Sequence, residues 1–489
     1  MRARGSPSIV VLGGGIAGLA AALALARDGH RVTVVERDPV SVGEPLESFG
    51  WERKGIPHFL QPHAFTPRGR KEMRSTLPDV FDAIIAAGAW DLDLRPKIRG
   101  GEPRADDDEL VFLAVRRPVI EWALRRAVLA QPGITVLGGT RVTGLRARGP
   151  MHGLPAVHAV DTTAGPLDAD LVIDAMGRRT TTPAWIEAIG GRPMDERSND
   201  CAIIYYCRYY RVRDGQTLAD GPWIPSPRGD LGYAAFSTFL GDNRTFCALV
   251  ATPPADRALK VLREARAFEA ATRTMPALDA WTNPGTSEPI TPVLPMGSLQ
   301  NTLRSLSDGR PPVVGLVSVG DALCHTDPVA SLGLSFALIH ARLLAAAIRD
   351  SGSDIEAVAL AFDALARPEM DERFAYVSAI DDTRHRLWAG ESIDYTHASG
   401  PAYAFFTYAA GGYASLAHGD LFRALVRRNF FLDPLAVLDD DAAMQARLED
   451  FYVQLRAASG ARPGPGREEL LDEMNEAKSG AAPLPQMSS

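Results

Sequence analysis

A chain of 489 residues is too long for one compact core and predicts two or three domains. With 46% hydrophobic residues, 23% charged residues and a formal net charge of −8, it has a globular composition. No basic face is set up for a phosphate backbone, which argues against nucleic acid as a partner. Its four cysteines (Cys201, Cys207, Cys247 and Cys324) form no C-x-x-C pair and have no zinc-ligand spacing. No metal centre is therefore expected, and the thiols read as reduced, buried groups of a cytoplasmic protein.

The first element is the stretch IVVLGGGIAGLAAALALA, Ile9 to Ala26, without a charge and preceded by the basic MRAR. It is nearly long enough for a membrane span, and MRAR with ALA imitates a secretory signal. The run Gly13–Gly15 argues against a spanning helix, because interior glycines cost about 1 kcal/mol each. A nucleotide-binding unit fits the residues better. IVVL is a short buried strand, and Gly13, Gly15 and Gly18 then match G-x-G-x-x-G. An Ala/Leu-rich helix runs to Gly29, and RVTVVE is a second strand ending on Glu36. In this βαβ unit Gly13 permits the tight turn, Gly15 lets the backbone approach a pyrophosphate, and Gly18 lets helix and strand pack closely. Ala17 lies in the same first helical turn, whose N–H groups and dipole favour phosphate. Glu36 can accept hydrogen bonds from a ribose, with Arg37 beside the adenine and ribose. No membrane span is expected; which dinucleotide binds stays open here.

Residues 41–115 are a mixed excursion containing the loop-like GIPHFLQPHAFTPRG and a helical VFDAIIAAGA. Arg116 to Ala130 has apolar residues at helical spacing, ITVLGGTRVTGLRA reads as strand, turn and strand, and ADLVIDAMGRR is a buried strand ending at Gly177. From about Gly190 the texture changes to aromatic and β-branched runs between Pro/Gly turns, predicting an inserted antiparallel sheet. A buried strand, PPVVGLVSVGD, and the helix SFALIHARLLAAAIRD come next. The predicted organisation is α/β. A Rossmann-type dinucleotide domain covers 1–190 and 311–352, a substrate domain with the antiparallel sheet covers 191–310, and a helical region covers 353–458. The Gly/Pro-rich tail, 459–489, is expected to be disordered apart from a short acidic helical piece.

The segment Gly320-Asp321-Ala322, then Pro328, Ser331 and Gly333, leads from a strand into a helix near Leu334. Together with the N-terminal unit it resembles the FAD-dependent monooxygenases of the p-hydroxybenzoate-hydroxylase type, built on the glutathione-reductase-type Rossmann fold. Ser331 replaces that superfamily's first loop glycine. The resemblance implies that Asp321 binds the ribityl and pyrophosphate part of FAD, and that backbone N–H groups near Gly333 and Leu334 face the flavin edge. VRRPVIEWAL matches a helical R-x-x-(L/I) pattern, which by resemblance makes Arg117 an FAD contact. The match is good over 1–180 and 310–350. GIPHFLQPHAF, VLPMGSLQNTLR and Asp381 to Arg384 look typical of an actinobacterial-type group of FAD oxidoreductases.

The run DAMGRRT, Asp174 to Thr180, carries Met176 where one-component hydroxylases have Asp. NAD(P)H could thus reduce the flavin directly or through a separate flavin reductase. GPWIP at Gly221 to Pro225 keeps one Trp of the halogenase segment W-x-W-x-I-P. The cofactor carries the hard chemistry in such enzymes, and the protein holds substrate and excludes water. His58 and His63 come after the second strand and are the candidate catalytic groups; a structural role in the loop is the competing reading. The expected function is oxygenation of a small apolar or aromatic, secondary-metabolite-like substrate through a flavin peroxide. The alternatives are a flavin-dependent reductase or dehydrogenase without oxygen insertion, then a halogenase or a non-catalytic flavin-binding protein.

Overall fold

The computed structural model describes residues 7–100, 102–220, 226–352, 354–393, 402–411, 418–458 and 463–479. At its centre is a parallel sheet in the order Leu316–Ser318, Leu171–Asp174, Ser8–Leu12, Arg31–Val35, Ile134–Leu137. Such a sheet is covered on both faces, so its strands are apolar runs rather than alternations. The helix Ile16–Arg27 packs between this sheet and the helix Gly333–Ser351, burying all but three of its residues. That burial explains why the first 18-residue stretch carries no charge. Among the described residues no helix is long and apolar enough to cross a membrane.

The predicted insertion is an antiparallel sheet. Arg228–Asp230, Ala235–Leu240, Thr245–Thr252, Ile204–Val212 and Ser287–Pro289 pair in that order, and Leu294–Met296 also pairs with Ile204–Val212. A small sheet of Asp195–Asp200, Gln300–Ser305 and Cys324–His325 joins this insertion to the segment after Asp321. The excursion after the second strand forms the helices Pro67–Thr76 and Pro78–Ala86 and the ladder of Trp90–Asp93 with Val111–Ala114. Phe112 of that ladder packs against the C-terminal helices Tyr403–Gly411 and Gly419–Asn429 through Phe406, Phe422 and Phe430. The long helix Ile355–Trp388 accommodates Pro368 without breaking.

The acidic piece of the tail is more firmly placed than its composition implies. Arg467–Ser479 is a helix that buries Leu470, Leu471 and Met474 in the core of the inserted domain. Arg467 is held by both oxygens of Asp256, at 2.6 and 2.9 Å. Three apolar side chains on one face of a short helix suffice to dock it, although the flanking composition reads as disordered. The remainder of the tail, 480–489, and GPWIP, 221–225, lie outside the described residues.

Candidate functional site

The turn after the first strand is built by steric necessity. Gly13 has φ of +104°, and a Cβ there would stand 2.6 Å from the carbonyl oxygen of Ala175. A Cβ on Gly18 would stand 2.0 Å from the carbonyl oxygen of Gly13, so the helix is seated directly on the turn. Gly15 is different: a Cβ there would meet only Ile56, at 3.7 Å. The space in front of Gly15 is open. No side chain caps the helix and no acid occupies its first turn, so its N-terminal dipole faces this space uncompensated.

The second motif meets the first. A Cβ on Gly320 would lie 2.6 Å from the Cβ of Ala17. The Gly320 N–H donates to Nδ1 of the buried His340 at 3.0 Å, fixing the turn. Asp321, next in the chain, pairs with Nδ1 of His325 at 3.2 Å, keeping a quarter (25%) of its side-chain surface accessible. Gly333 stands opposite: its Cβ position has only Asp321, at 3.8 Å, as a neighbour. Leu334, beside Gly333, is buried. Burial would push the Asp321 carboxyl up, but the hydrogen bond from His325 and the Arg117 guanidinium hold it below the usual carboxylate range.

Between the two motifs runs a buried chain of charges. Glu36 accepts the Gly14 N–H at 2.8 Å on one oxygen and the Asp38 N–H at 2.8 Å on the other. Arg53 contacts Glu36 at 3.3 Å, Asp38 at 2.9 Å and Glu121 at 2.7 Å with almost no surface of its own. Burial alone would raise the Glu36 carboxyl; the Arg53 charge and the two N–H groups leave it lower than usual. Glu121 is fully buried and also pairs with Arg125 at 3.1 Å, and it stands 3.9 Å from Arg117. Arg117 begins the helix Arg117–Ala130, and its Nε is buried with no acceptor in the protein.

The two candidate histidines enter here. His63 places Nδ1 2.8 Å from the Gln61 carbonyl oxygen and Nε2 3.3 Å from Arg117. A carbonyl only accepts, so Nδ1 carries the proton and Nε2 accepts from the guanidinium. Burial and the Arg117 charge push the pKa of His63 down to about 3. His63 is a neutral positioning group for Arg117, with both ring nitrogens engaged. His58 stands 6.0 Å from His63, centroid to centroid, and burial with Arg117 also keeps it neutral. Both rings are enclosed by protein yet retain accessible surface, as side chains lining a cleft do. Arg37, expected beside the adenine, is exposed and turns to the Lys54 carbonyl at 3.2 Å. A small cavity behind Glu36, lined by Leu19, Val40, Arg125 and Val136, lies on the other side.

Sequence reasoning missed Arg53 and Glu121. Glu121 had a signal, the i,i+4 spacing from Arg117 on an otherwise apolar helix. Arg53 had none, because nothing local in GWERKG distinguishes it from its solvated neighbours. The Met176 side chain packs among apolar residues beside the parallel sheet, while Asp174 caps its own turn, accepting from the Met176 N–H at 3.0 Å and the Thr180 hydroxyl at 2.8 Å.

Beyond Asp321 the chain turns through Val329 and Ser331, which adopts a left-handed φ of +56°. These two residues border a small cavity that is partly open to solvent. Its other walls come from Phe65, the ladder strand with Phe112, the inserted sheet with Phe239, and Phe430.

Taken together, the open turn, the Nε–H of Arg117 that finds no acceptor and the carboxylate of Asp321 offer donors for a pyrophosphate and an acceptor for a polyol. This donor set fits FAD. The comparisons agree. Residues 8–56 match the family described as FAD dependent oxidoreductase. Protein Rv3254 of Mycobacterium tuberculosis is 30% identical over 225 residues, 42% of this chain and 45% of that protein, so the match spans less than half of that relative's length. The fold matches Pseudomonas aeruginosa pqsL, described as a probable FAD-dependent monooxygenase, with a TM-score of 0.56 at 16% identity, covering 79% of this chain and 99% of that one. It matches the flavin-dependent brominase Bmp2 at 0.60 and 17% identity, over 93% and 100% of the two chains. The flavin-dependent halogenase CmlS matches at 0.58 and 18%, over 93% of this chain and 78% of that one. Residues 8–56 thus resemble the FAD-dependent oxidoreductase family, and the chain has the fold seen in flavin-dependent monooxygenases and halogenases, in line with the resemblance in its sequence.

Proposed function

We propose that the protein is an FAD-dependent monooxygenase acting on a small apolar or aromatic substrate. The observation that carries this reading is that a single loop borders both the dinucleotide cleft and the aromatic-lined cavity. The loop that presents Asp321 to the dinucleotide cleft goes on to form, with Val329 and Ser331, one wall of an aromatic-lined cavity. In this reading Gly13, Gly15, Ala17 and Gly18 cradle the pyrophosphate, with Arg117 donating to it. Glu36 holds the ribose, Asp321 holds the ribityl hydroxyls, and the backbone at Gly333 and Leu334 faces the flavin edge. FAD, when bound and reduced, supplies the electrons for activating oxygen. The chain's own work is to bind, orient and exclude water. Phe65, Phe112, Phe239 and Phe430 keep the cavity dry. His63 and Glu121 hold Arg117 in place, and His58 stays neutral at the cleft wall. Electrons come from NAD(P)H; with the apolar Met176 in DAMGRRT, delivery through a separate flavin reductase is the favoured route.

The test is anaerobic mixing of the FAD-loaded protein with NADPH and NADH, then with a flavin reductase. Turnover of aromatic acids is then measured under labelled oxygen. Label in the product supports the reading; a product oxidised without label makes the protein a dehydrogenase.

A further inference from the structure

Behind the loop that borders both spaces lies a buried polar cluster drawn from four segments. Asp327 begins the loop and is fully buried. Its Oδ1 accepts from the Val329 N–H at 3.2 Å and from the Tyr205 hydroxyl, and its own N–H donates to Asn301 Oδ1 at 2.6 Å. Asn301 also donates to Oδ2 of Asp381 at 2.7 Å, so one amide joins both acids. Tyr205 belongs to the strand Ile204–Val212 and Asn301 to Gln300–Ser305, while Asp381 and Arg384 lie on the long helix Ile355–Trp388. An oxygen of each carboxyl group and the Cys201 sulfur lie within 4.8 Å of one another.

The charges in this cluster are uneven. Among the described residues Arg384 is the one cation paired with the two acids. Its NH2 donates to the Cys201 carbonyl at 2.8 Å and to Asp327 Oδ2 at 3.2 Å, which uses both protons of that nitrogen. Oδ1 of Asp381, 2.8 Å from the same nitrogen, is left buried with no donor among the described residues. A carboxylate oxygen in that position is costly, whereas a carboxylic acid is itself a donor there. Two carboxyl groups this close share one proton, because both cannot be charged away from water. Asp327, with donors from Tyr205, Val329 and Arg384, keeps the charge. Burial and the charge of Asp327 push the Asp381 carboxyl well above its ordinary range, so the proton sits there.

We propose that Asp381 and Arg384 are positioning residues for the flavin site, acting through Asp327 and one shared proton to lock the loop from Asp327 to Gly333 where it borders both cleft and cavity. The inference rests on the monooxygenase reading only in calling the site a flavin site. The loop needs such a hold. Ser331 stands at a left-handed φ of +56°, a conformation that a serine keeps only when its surroundings impose it. A loop released at Asp327 would lose Val329 from the cavity wall and Gly333 from its place opposite Asp321.

Hydrogen–deuterium exchange of the amides from Val329 to Gly333 tests the lock in the chain without FAD, and titration with FAD tests its consequence. Asp381→Leu should speed exchange there and weaken FAD binding, each at least about tenfold. Asp381→Asn, a neutral donor of the same shape, should restore both to within about twofold of wild type. Asp327→Asn, the same change on the other partner, should free the loop, because it leaves Arg384 buried without its counter-charge. Matched melting curves establish folding, and Tyr205→Phe, which removes one donor to Asp327, replaces any variant that does not fold and should also speed exchange. The infrared spectrum needs no destabilised variant: at neutral pH, wild type minus Asp381→Asn should show the C=O band of a protonated carboxyl group. Unchanged exchange in Asp381→Leu and Tyr205→Phe, a freed loop with undiminished FAD affinity, or a difference spectrum without that band would overturn the inference. A chain that takes up no FAD yet shows the exchange pattern refutes the flavin site and leaves the lock standing. A flavin-loaded chain whose loop exchanges alike in every variant does the reverse.

Discussion

The dinucleotide cleft and the cavity beyond it use charge in opposite ways. In the cleft nearly every charge has a partner: Arg53 binds three carboxylates, Glu121 joins Arg53 to Arg125, and Asp321 leans on His325. In the cavity the lone cation Arg228 has no acidic partner among the described residues. A cofactor that stays bound favours a rigid site assembled before it arrives. The cavity is walled by aromatic rings, and its loop is held from behind by the pairing of Asp327 with Arg384.

The largest effect should come from breaking the paired region. Arg53→Met would leave Glu36, Asp38 and Glu121 buried around an absent charge, and it should cost about 3–5 kcal/mol in urea unfolding. A loss under about 1 kcal/mol would mean the ion pairs are not structural. Next, Asp321→Ala should weaken FAD about 100-fold in equilibrium binding, since it removes the acceptor facing Gly333. Unchanged retention would show that the second motif does not touch the cofactor.

The paired region should also carry a pH signature. His63 has its folded pKa depressed to about 3, from an ordinary value of 6.5. Below 6.5 the unfolded chain takes up a proton that the folded chain refuses. The contribution of His63 is therefore fully present above pH 6.5 and is lost as pH falls toward 3. Between pH 7.5 and 5 the stability advantage of wild type over His63→Gln should shrink by about 2 kcal/mol. An unchanged difference would mean that His63 is not held neutral.

The smallest effects mark the edges of the comparison. Arg37→Ala should shift FAD affinity less than about twofold, because its side chain turns outward to Lys54. Arg228→Gln should change unfolding stability by no more than about 0.5 kcal/mol, in contrast to Arg53→Met, because it breaks no ion pair. A large loss of stability there would make Arg228 a structural residue.

The two regions also differ in how far they were legible from sequence. The cleft is made by short local spacings. Gly13, Gly15, Gly18 and Glu36 fall within one βαβ unit, and Gly320 to Gly333 within one strand–loop–helix, so periodicity and turn chemistry find them. The inserted sheet was legible for the same reason, through its aromatic and β-branched runs. Arg53 and the cavity were not, because their meaning lies in long-range contact. Arg53 sits in an irregular loop and acquires its role only when Glu36 and Glu121 close on it. Arg228 comes from the inserted sheet, Phe112 from the excursion, Val329 from the second motif and Phe430 from the C-terminal helices; no local pattern joins them. The direction of Arg37 was not legible either, because adjacency to Glu36 in sequence says nothing about side: successive residues at a strand end point opposite ways, and Arg37 turns to the Lys54 carbonyl.

The most direct test of the central claim, that two distant motifs close on one FAD, is the visible absorption spectrum after loading with FAD and gel filtration. The account predicts flavin bands at about one FAD per wild-type chain and their absence in Asp321→Ala. A wild-type chain that emerges colourless would contradict it.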